Sequence, residues 1–201
     1  MADLFHDKAA DYDQRPVPQQ ISEGVVAALT AHVPLTPAMT VLDFGAGTGL
    51  VATKVAPRVK ALIAVDVSPA MLEQLAPKAA AAGNIEIVCQ DLLAHPLARQ
   101  VDLVVSAMAM HHVADTAALA RALFAHTAPG GGVALADLDR EDGDFHPPGA
   151  EGVFHAGFDR DALAATFTAA GFVAPAFVTA CEVTRDGKRY PVFLFTARRP
   201  A

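Results

Sequence analysis

Three aspartates at the ends of strand-like runs are the residues best placed to do chemistry in this sequence. Asp43, Asp66 and Asp91 end the first three apolar runs, and the first run continues into a glycine-rich turn at residues 45–49. When consecutive parallel strands are joined by helices, their carboxyl ends meet at one sheet edge, where open α/β sheets bind ligands. The pattern therefore predicts one binding site. The alternative for each single aspartate is that it only caps a turn.

The spacing of the glycines indicates which ligand this site takes. The turn at residues 45–49 has the pattern G-x-G-x-G and leads into a helical pattern, so its backbone N–H groups are open to a ligand. A dinucleotide fingerprint has one more residue before its last glycine. Asp43 lies two residues before the turn, where its negative charge suits an ammonium group better than a pyrophosphate. Asp66 is placed to accept hydrogen bonds from ribose hydroxyls.

Histidines supply the candidate proton acceptors. His111 and His112 follow the fourth apolar run, where each either faces a substrate or packs at the start of the next helix. His155 lies with His146 in the segment 140–157, where an imidazole is either exposed or part of a lid. We expect no metal site, because adjacent histidines rarely converge on one ion and no further ligand spacing is present. The candidate catalytic residues are His111, His112 and His155.

Charged residues cluster at two further places. The acidic ones are Asp137, Asp139, Glu141, Asp142 and Asp144. The basic ones are Lys188, Arg189, Arg198 and Arg199. We interpret both clusters as solvated faces. In the alternative interpretation, the acidic cluster favours a cationic or amine-bearing substrate.

Alternating strand-like and helix-like segments position these residues. Strands are predicted at 39–44, 59–67, 84–91, 101–108, 130–139, 177–184 and 190–198. Helices are predicted at 19–31, 50–56, from the Ser68 cap onward, from Asp115 through Thr127, and at 160–170 after Asp159. Strands separated by helices imply right-handed crossovers and a parallel sheet covered on both faces. The Asp-Gly pair between the last two runs predicts an antiparallel hairpin.

The chain is predicted to be a single domain over residues 1–201. It contains an N-terminal lid segment at about 1–18 and an active-site loop at about 140–157. With 53% hydrophobic and 18% charged residues, it has the means to bury a core. The net charge of −7 disfavours nucleic acid as a partner.

The same sequence favours a protein of the cytoplasm. No apolar run reaches the ~18 residues of a membrane span, and the first residues lack the apolar stretch of a secretory signal. Cys89 and Cys181 are expected to be reduced, buried thiols.

Four segments resemble the motifs of a known family. Val41–Leu50, Ala64–Leu72, Gln90–Leu92 and Asp102–Val113 are similar, in order, to the motifs of class I S-adenosylmethionine-dependent methyltransferases. The resemblance is closest to the small UbiE/YcgJ-like group and covers roughly residues 5–198. It implies a Rossmann-like three-layer sandwich with a seven-stranded, mostly parallel sheet. It also implies S-adenosyl-L-methionine as the cofactor and in-line transfer of its methyl group.

The resemblance also implies roles for individual residues. It assigns the methionine part of the cofactor to Asp43, Gly45, Ala46, Gly47, Gly49, Ser106 and Ala107. It assigns the nucleoside part to Asp66, Val67, Met71, Asp91 and Leu92. In this scheme Asp66 binds both ribose hydroxyls and Asp91 accepts from the adenine amino group. Tyr12 resembles the tyrosine that closes over the cofactor, the alternative being a plain surface tyrosine.

The departures from the family pattern bear on the methyl acceptor. The chain has no insertion large enough for a separate substrate domain. Ser106-Ala107-Met108-Ala109 stands where enzymes that methylate exocyclic amino groups carry an Asn-Pro-Pro-Tyr type motif. Together with the negative charge, this favours a small-molecule acceptor. We expect the protein to be a monomer or a homodimer. The alternatives are a non-catalytic S-adenosylmethionine-binding protein and a nicotinamide-dependent oxidoreductase.

Overall fold

The computed structural model describes residues 3–201, which form one seven-stranded sheet flanked by helices. The strands are β1 (Thr40–Phe44), β2 (Ala61–Asp66), β3 (Ile85–Cys89), β4 (Val101–Ala107), β5 (Thr127–Leu138), β6 (Val173–Arg185) and β7 (Lys188–Arg198). The helices are α1 (His6–Ala9), α2 (Pro16–His32), α3 (Ala52–Val55), α4 (Pro69–Ala82), α5 (Thr116–His126) and α6 (Arg160–Ala169).

The sheet order is β3-β2-β1-β4-β5-β7-β6. The first five strands in this order pair in parallel, and β7 is antiparallel to both of its neighbours. The predicted fold is therefore confirmed. The order reverses between β1 and β4, and such a reversal opens a crevice at the carboxyl ends of the strands.

Side chains along each strand point alternately to the two faces of the sheet, and helices cover both faces, which gives three layers. Successive strand residues point to opposite faces, so Val41 belongs to one apolar core and Leu42 to the other. Leu29 of α2 and Leu75 of α4 pack on the first face. Leu123 of α5, together with α6, packs on the second face. This double coverage is why the central strands are apolar on both sides.

The predicted caps are present and fix where three helices begin. The side chains of Ser68, Asp115 and Asp159 accept from backbone N–H groups at 3.2, 2.8 and 2.9 Å. The other boundaries differ by a few residues. Helix α2 begins at Pro16, because proline is well tolerated in a first helical turn. Strand β6 already begins at Val173.

Two further sequence expectations are corrected. Cys89 and Cys181 are free, but Cys89 is exposed because β3 is an edge strand. The helix predicted at 50–56 is a single turn, α3, followed by a 3₁₀ turn at Ala56–Arg58. No helix within residues 3–201 combines the length and apolarity needed to cross a bilayer.

The two segments predicted to cover the site differ in regularity. Of the proposed lid at 1–18, residues 1 and 2 lie outside the described residues. The rest forms α1, a 3₁₀ turn at Tyr12–Gln14 and the start of α2. Residues 140–157 contain neither helix nor strand. A bridge between Asp139 and Phe158 closes the base of this loop.

Candidate functional site

The glycine turn after β1 is shaped by close packing at its two ends. Gly45 and Gly49 have φ of +69° and +85°. A Cβ at Gly45 would lie 2.3 Å from the Cβ of Ala109, and one at Gly49 would lie 2.3 Å from Leu75. Gly47 has φ of +55° but faces open space, with nothing within 4 Å of its Cβ position. The middle glycine therefore leaves backbone accessible where a ligand could approach.

Asp66 joins this turn to the end of β2. Its carboxylate accepts from the backbone N–H groups of Gly47 at 2.7 Å and Ser68 at 2.9 Å. Burial raises the pKa of Asp66, while these donors act in the opposite direction. The next residue, Val67, is 61% exposed and presents apolar surface beside the carboxylate. The geometry suits a sugar at Asp66 and a flat ring on Val67.

Asp43 is the unusual group of the site. It is 1% exposed, and neither carboxylate oxygen has a hydrogen-bond partner within residues 3–201. Burial, aided by the charge of Asp66, raises the pKa of Asp43 to about 8. The backbone N–H of Ala52 opposes this shift without completing a hydrogen bond. A buried, unpartnered carboxylate is costly, and a cationic donor from outside the chain would satisfy it.

The third predicted aspartate adopts the alternative role. Asp91 is exposed and accepts from the backbone N–H groups of Leu93 at 2.9 Å and Ala94 at 3.3 Å. It therefore caps the turn after β3. Leu92 beside it is buried in the second core. A contact of Asp91 or Leu92 with a cofactor remains a prediction.

The end of β4 is held against the glycine turn. The hydroxyl of Ser106 is buried and donates to the carbonyl of Phe44 at 2.7 Å, which ties β4 to β1. Met108, two residues further, has φ of +58°, an uncommon value for a residue with a side chain. This sharp bend brings Ala109 onto Gly45. Ser106 and Ala107 thus lie at the edge where a cofactor role is predicted for them.

The N-terminal segment is anchored across this edge by two aspartates. Asp3 accepts from the hydroxyl of Ser68 at 2.9 Å and from the N–H of Ala70 at 3.2 Å. Asp13 accepts from the hydroxyl of Thr48 and from the ammonium group of Lys78. The segment is therefore fixed both to α4 and to the glycine turn.

Tyr12 lies between these two anchors. Its ring packs with a small apolar cluster that includes Ala9, Ala70 and Met71. Burial raises the pKa of Tyr12, and the nearby charge of Asp66 acts in the same direction. Tyr12 and Met71 are thus close to the predicted nucleoside position, and Tyr12 is not a plain surface tyrosine.

A buried histidine–aspartate pair lies at the ends of β4 and β5. His111 donates from Nδ1 to Asp137 at 2.7 Å, and its backbone N–H reaches the other carboxylate oxygen at 3.2 Å. Asp137 is 0% exposed, so its interpretation as part of a solvated face is wrong. Asp137 ends the fifth apolar run as Asp43 and Asp66 end theirs. The strand-end rule could have found it, but the acidic residues that follow obscured the signal.

Two more histidines pack around this pair. The ring of His112 lies 4.1 Å from that of His111, and the ring of His146 lies 5.0 Å from it. His112 also bonds through Nδ1 to the carbonyl of Gly152 at 2.7 Å. Burial lowers the pKa of both His112 and His146 to about 4. We call His111, His112 and His146 the histidine cluster.

His155 occupies a different position from the histidine cluster. Its Nε2 bonds to the carbonyl of Val113 at 2.9 Å, and its ring packs on Phe158 at 5.2 Å. These contacts hold the loop against the start of α5. A catalytic role for His155 remains untested, whereas His146, which we did not select from the sequence, is the loop histidine beside His111. Its position depends on tertiary contacts that leave no local sequence signal.

The remaining charged residues are mostly paired. Arg160 makes two hydrogen bonds to Asp139, each of 2.7 Å. Lys188 reaches Asp142 at 2.7 Å and Asp144 at 2.9 Å. The hairpin is therefore fixed to the loop, and the two charged clusters are not independent solvated faces.

Comparisons with known proteins were made for sequence and for structure. Residues 41–131 match a family model described as a methyltransferase domain. The chain is 36% identical over 89 residues to a probable ribosomal RNA small subunit methyltransferase A of Methanosarcina mazei, covering 44% of this chain and 32% of that protein. It is 34% identical over 119 residues to the uncharacterized methyltransferase YrrT of Bacillus subtilis, covering 56% and 54%. It thus spans a third to about half of these relatives.

Solved structures show the same fold over nearly the whole chain. The N-methyltransferase NodS of Bradyrhizobium japonicum, in complex with S-adenosyl-l-homocysteine, superposes with a TM-score of 0.73 at 19% identity, covering 99% of this chain and 95% of NodS. The YcgJ protein of Bacillus subtilis gives a TM-score of 0.70 at 15% identity, covering 89% and 99%.

The family match and the structural neighbours agree with each other. Residues 41–131 match the methyltransferase-domain family, and the fold of the chain is that of NodS, a methyltransferase crystallised with S-adenosyl-l-homocysteine. The YcgJ protein has the same fold. The resemblance predicted from the motifs is therefore confirmed in the fold and over the matched segment, and S-adenosylmethionine is the cofactor that it indicates.

The burial of Asp43 predicts a pH-dependent effect of Asp43→Asn on the cofactor-free protein. The folded-state pKa of about 8 lies above the ordinary aspartate value of 3.8, so the stability contributed by the protonated carboxyl is full at low pH and declines as pH rises towards 8. Asp43→Asn should therefore gain stability relative to the wild type between about pH 4 and pH 8, reaching a few kcal/mol at ~1.4 kcal/mol per pKa unit.

Urea unfolding across this pH range measures the difference. Asp161→Asn, at an exposed position of α6, serves as the matched control and should follow the wild type. If the free energies of unfolding of Asp43→Asn and the wild type differed by the same amount at every pH, the carboxyl of Asp43 would not be buried in its neutral form.

Proposed function

We propose that this protein transfers the methyl group of S-adenosylmethionine to a small-molecule acceptor by in-line displacement. The observation that carries the proposal is the buried Asp43 carboxylate, unpartnered within residues 3–201, beside the open backbone of Gly47. S-adenosylmethionine has an ammonium group that could pair with the Asp43 carboxylate. Its methionine part could lie against the protein backbone that Gly47 leaves open. The methyltransferase family match makes this cofactor the expected ligand.

The residues present fit the cofactor at each end. Asp43 and Gly47 would hold its methionine part. Asp66 would accept from the ribose hydroxyls, and the exposed side chain of Val67 would cover the adenine. The anchored Tyr12 would close over the bound molecule. Asp43 is unpartnered within residues 3–201, Gly47 and Val67 are open to a ligand, and Asp66 accepts hydrogen bonds from backbone N–H groups of residues 47 and 68.

The chemistry demands little beyond alignment and exclusion of water. When bound, S-adenosylmethionine supplies an activated methyl group. The protein must orient the acceptor and keep the site dry, which contributes several kcal/mol to the rate. The N-terminal segment contacts the histidine cluster through Phe5, which packs on His112 at 5.2 Å, and it contacts loop 140–157 where Leu4 lies against Gly152. Their contact supports a closed reaction chamber.

The charge distribution supports a small acceptor over a nucleic acid. The chain carries a net charge of −7. Lys188 and Arg160 are engaged with aspartates, so they do not form a free phosphate-binding face. One relative is named as a ribosomal RNA methyltransferase, so structured RNA belongs in the test as a competing acceptor.

A coupled assay for S-adenosylhomocysteine tests the proposal across thiols, phenols, amines, carboxylates and ribosomal RNA. Calorimetry with S-adenosylmethionine and with NADH should show binding of the first alone. Binding without turnover of any acceptor would favour the non-catalytic alternative. Binding of NADH alone would favour the oxidoreductase.

Gly47→Val should abolish S-adenosylmethionine binding while the protein remains folded. Its side chain would enter the space beside the turn, and valine resists φ of +55°. Gly130→Val is the matched control, because Gly130 has φ of +78° and an equally open Cβ position outside the site. Calorimetry should show loss for Gly47→Val alone. Near-native affinity in that variant would remove the turn from the site.

Asp66→Ala should weaken S-adenosylmethionine binding by ~2–4 kcal/mol. The expected loss comes from two charge-assisted hydrogen bonds to ribose hydroxyls, worth ~1.5–3 kcal/mol each before non-additivity. Asp66 also holds the N–H of Gly47, so circular dichroism must first show a folded variant. Unchanged affinity in that folded variant would exclude Asp66 from cofactor binding.

Phe5–Arg15 and Arg140–Gly157 should exchange backbone hydrogens fastest without ligand and become protected when cofactor and acceptor are bound. Loop 140–157 lacks regular structure, and residues 5–15 contain only short helical turns. The connection at 33–39 between α2 and β1, at the opposite end of the strands, is the internal control and should not change. Equal exchange of both segments with and without S-adenosylhomocysteine would contradict their role as a lid.

A further inference from the structure

The pairing of Asp137 with His111 fixes the orientation of a buried imidazole. Asp137 accepts from Nδ1 of His111 at 2.7 Å, from its backbone N–H at 3.2 Å and from the N–H of Leu138 at 2.8 Å. A carboxylate only accepts, so the ring proton lies on Nδ1. In the neutral imidazole Nε2 is then the basic nitrogen, and it is buried without a partner within residues 3–201. This arrangement is that of a general base held by a carboxylate.

The topology places this base beside the cofactor edge. Ala107 of β4 pairs with Ala136 of β5, so Asp137 is one residue beyond the last pair. The 3₁₀ turn at Met110–His112 follows Ala109 directly, and Ala109 closes against Gly45. His111 is two residues beyond Ala109, which lies against Gly45. An acceptor bound next to the glycine turn would therefore be close to the histidine cluster.

The walls around His111 are flat and neutral. Burial lowers the pKa of His112 and His146 to about 4, so both rings are uncharged at neutral pH. Phe5 packs edge-on against His112, and Phe145 packs edge-on against His146. Such walls suit an aromatic ring and disfavour a charged group.

Two side chains outside the histidine cluster, Asp137 and Lys8, place charge near it. Asp137 from β5 is shielded behind His111, with 0% exposure. Lys8 from α1 is exposed, and its Nζ lies 5.9 Å from the centre of the Phe5 ring on the outer side of the segment. An ammonium acceptor would find no accessible carboxylate at this wall. A carboxylate acceptor would find no buried cation.

We propose that the methyl acceptor is a neutral phenol-like hydroxyl compound, with His111 as its general base and Asp137 as the positioning residue. The inference rests on the methyltransferase function proposed above. A buried base is useful only for an acceptor that must lose a proton, and neutral ring walls select an uncharged aromatic one. The exposed Phe154, whose N–H is bonded to the carbonyl of His111 at 2.9 Å, adds apolar surface at the rim.

The proposed step conserves atoms and charge. The phenolic O–H bond breaks, and its proton moves to Nε2 of His111. A lone pair of the oxygen forms the bond to the methyl carbon, while the carbon–sulfur bond breaks and leaves its electron pair on sulfur. The products are an aryl methyl ether and S-adenosylhomocysteine. The proton leaves His111 to solvent before the next cycle.

A binding experiment without turnover tests the base. 4-Nitrophenol is titrated with pH in the presence of protein and S-adenosylhomocysteine, and its phenolate absorption reports its ionisation. Bound to the wild type or to Asp161→Asn, it should ionise at least about one pH unit lower than in free solution. Asp161 is exposed on α6, away from the histidine cluster, so it is the matched control. Asp137→Asn should abolish the shift. The same shift in Asp137→Asn and in the wild type would overturn the proposal.

If His111 acts as a general base, its contribution to turnover should be large for a weakly acidic phenol and small for a phenol that is already ionised. Asp137→Asn should lower kcat for 4-methoxyphenol by roughly 100-fold or more. It should lower kcat for 4-nitrophenol, measured where that phenol is already ionised, by less than about 5-fold. Equal losses for both phenols would mean that Asp137 is only structural. Asp161→Asn, at an exposed position of α6, should leave both rates at the wild-type values.

The outcomes separate this inference from the proposed function. Absence of S-adenosylmethionine binding would contradict the function itself. Binding with methylation of thiols, amines or carboxylates, but not phenols, would overturn only the acceptor class. If Asp137→Asn fails to fold, ¹⁵N NMR of the wild-type histidines decides, since a proton on Nε2 rather than Nδ1 of His111 would also overturn the assignment.

Discussion

The buried carboxylate of Asp43 is the constraint on which the site depends. Neither of its oxygens has a partner within residues 3–201, and it lies in the centre of the sheet next to the switch between β1 and β4. An unsatisfied group of this kind lowers the stability of the free protein. The same cost makes binding of a cationic ligand more favourable, because the ligand completes the missing interactions. Proteins commonly accept lower stability at such functional positions.

The covering elements connect the two halves of the site. Asp13 fixes the N-terminal segment to Thr48 in the glycine turn, and Phe5 in the same segment packs on His112. Loop 140–157 contributes His146 from the other side and is held to the hairpin through Lys188. Movement of the N-terminal segment would therefore expose the cofactor edge and the histidine cluster together. This coupling keeps water from the sulfonium only when both halves are closed.

Most of the fold could be predicted because its signals are local. Buried strands, glycine turns and the caps Ser68, Asp115 and Asp159 are each written within a few residues. The rule that strand ends converge also located Asp43 and Asp66. It failed for Asp137, whose acidic neighbours imitate a solvated face. The placement of His146 depends on packing between Phe145 and Tyr190 from distant parts of the chain, which no local pattern encodes.

The cofactor half and the acceptor half of the site differ in charge, and this difference fits transfer of a methyl group from a positively charged donor to a neutral acceptor. In the proposed site, the cofactor half contains Asp43 and Asp66, whose carboxyl groups would favour the positive groups of S-adenosylmethionine. The acceptor half presents neutral imidazole and phenyl rings, with its one buried carboxylate turned away behind His111. While a neutral acceptor is bound in this half, no negative charge would face the positive sulfonium on the side of its methyl group. Loss of the acceptor proton to His111 would create that negative charge only as the reaction proceeds. The attraction would then lower the energy of the transition state more than that of the bound acceptor, which speeds methyl transfer.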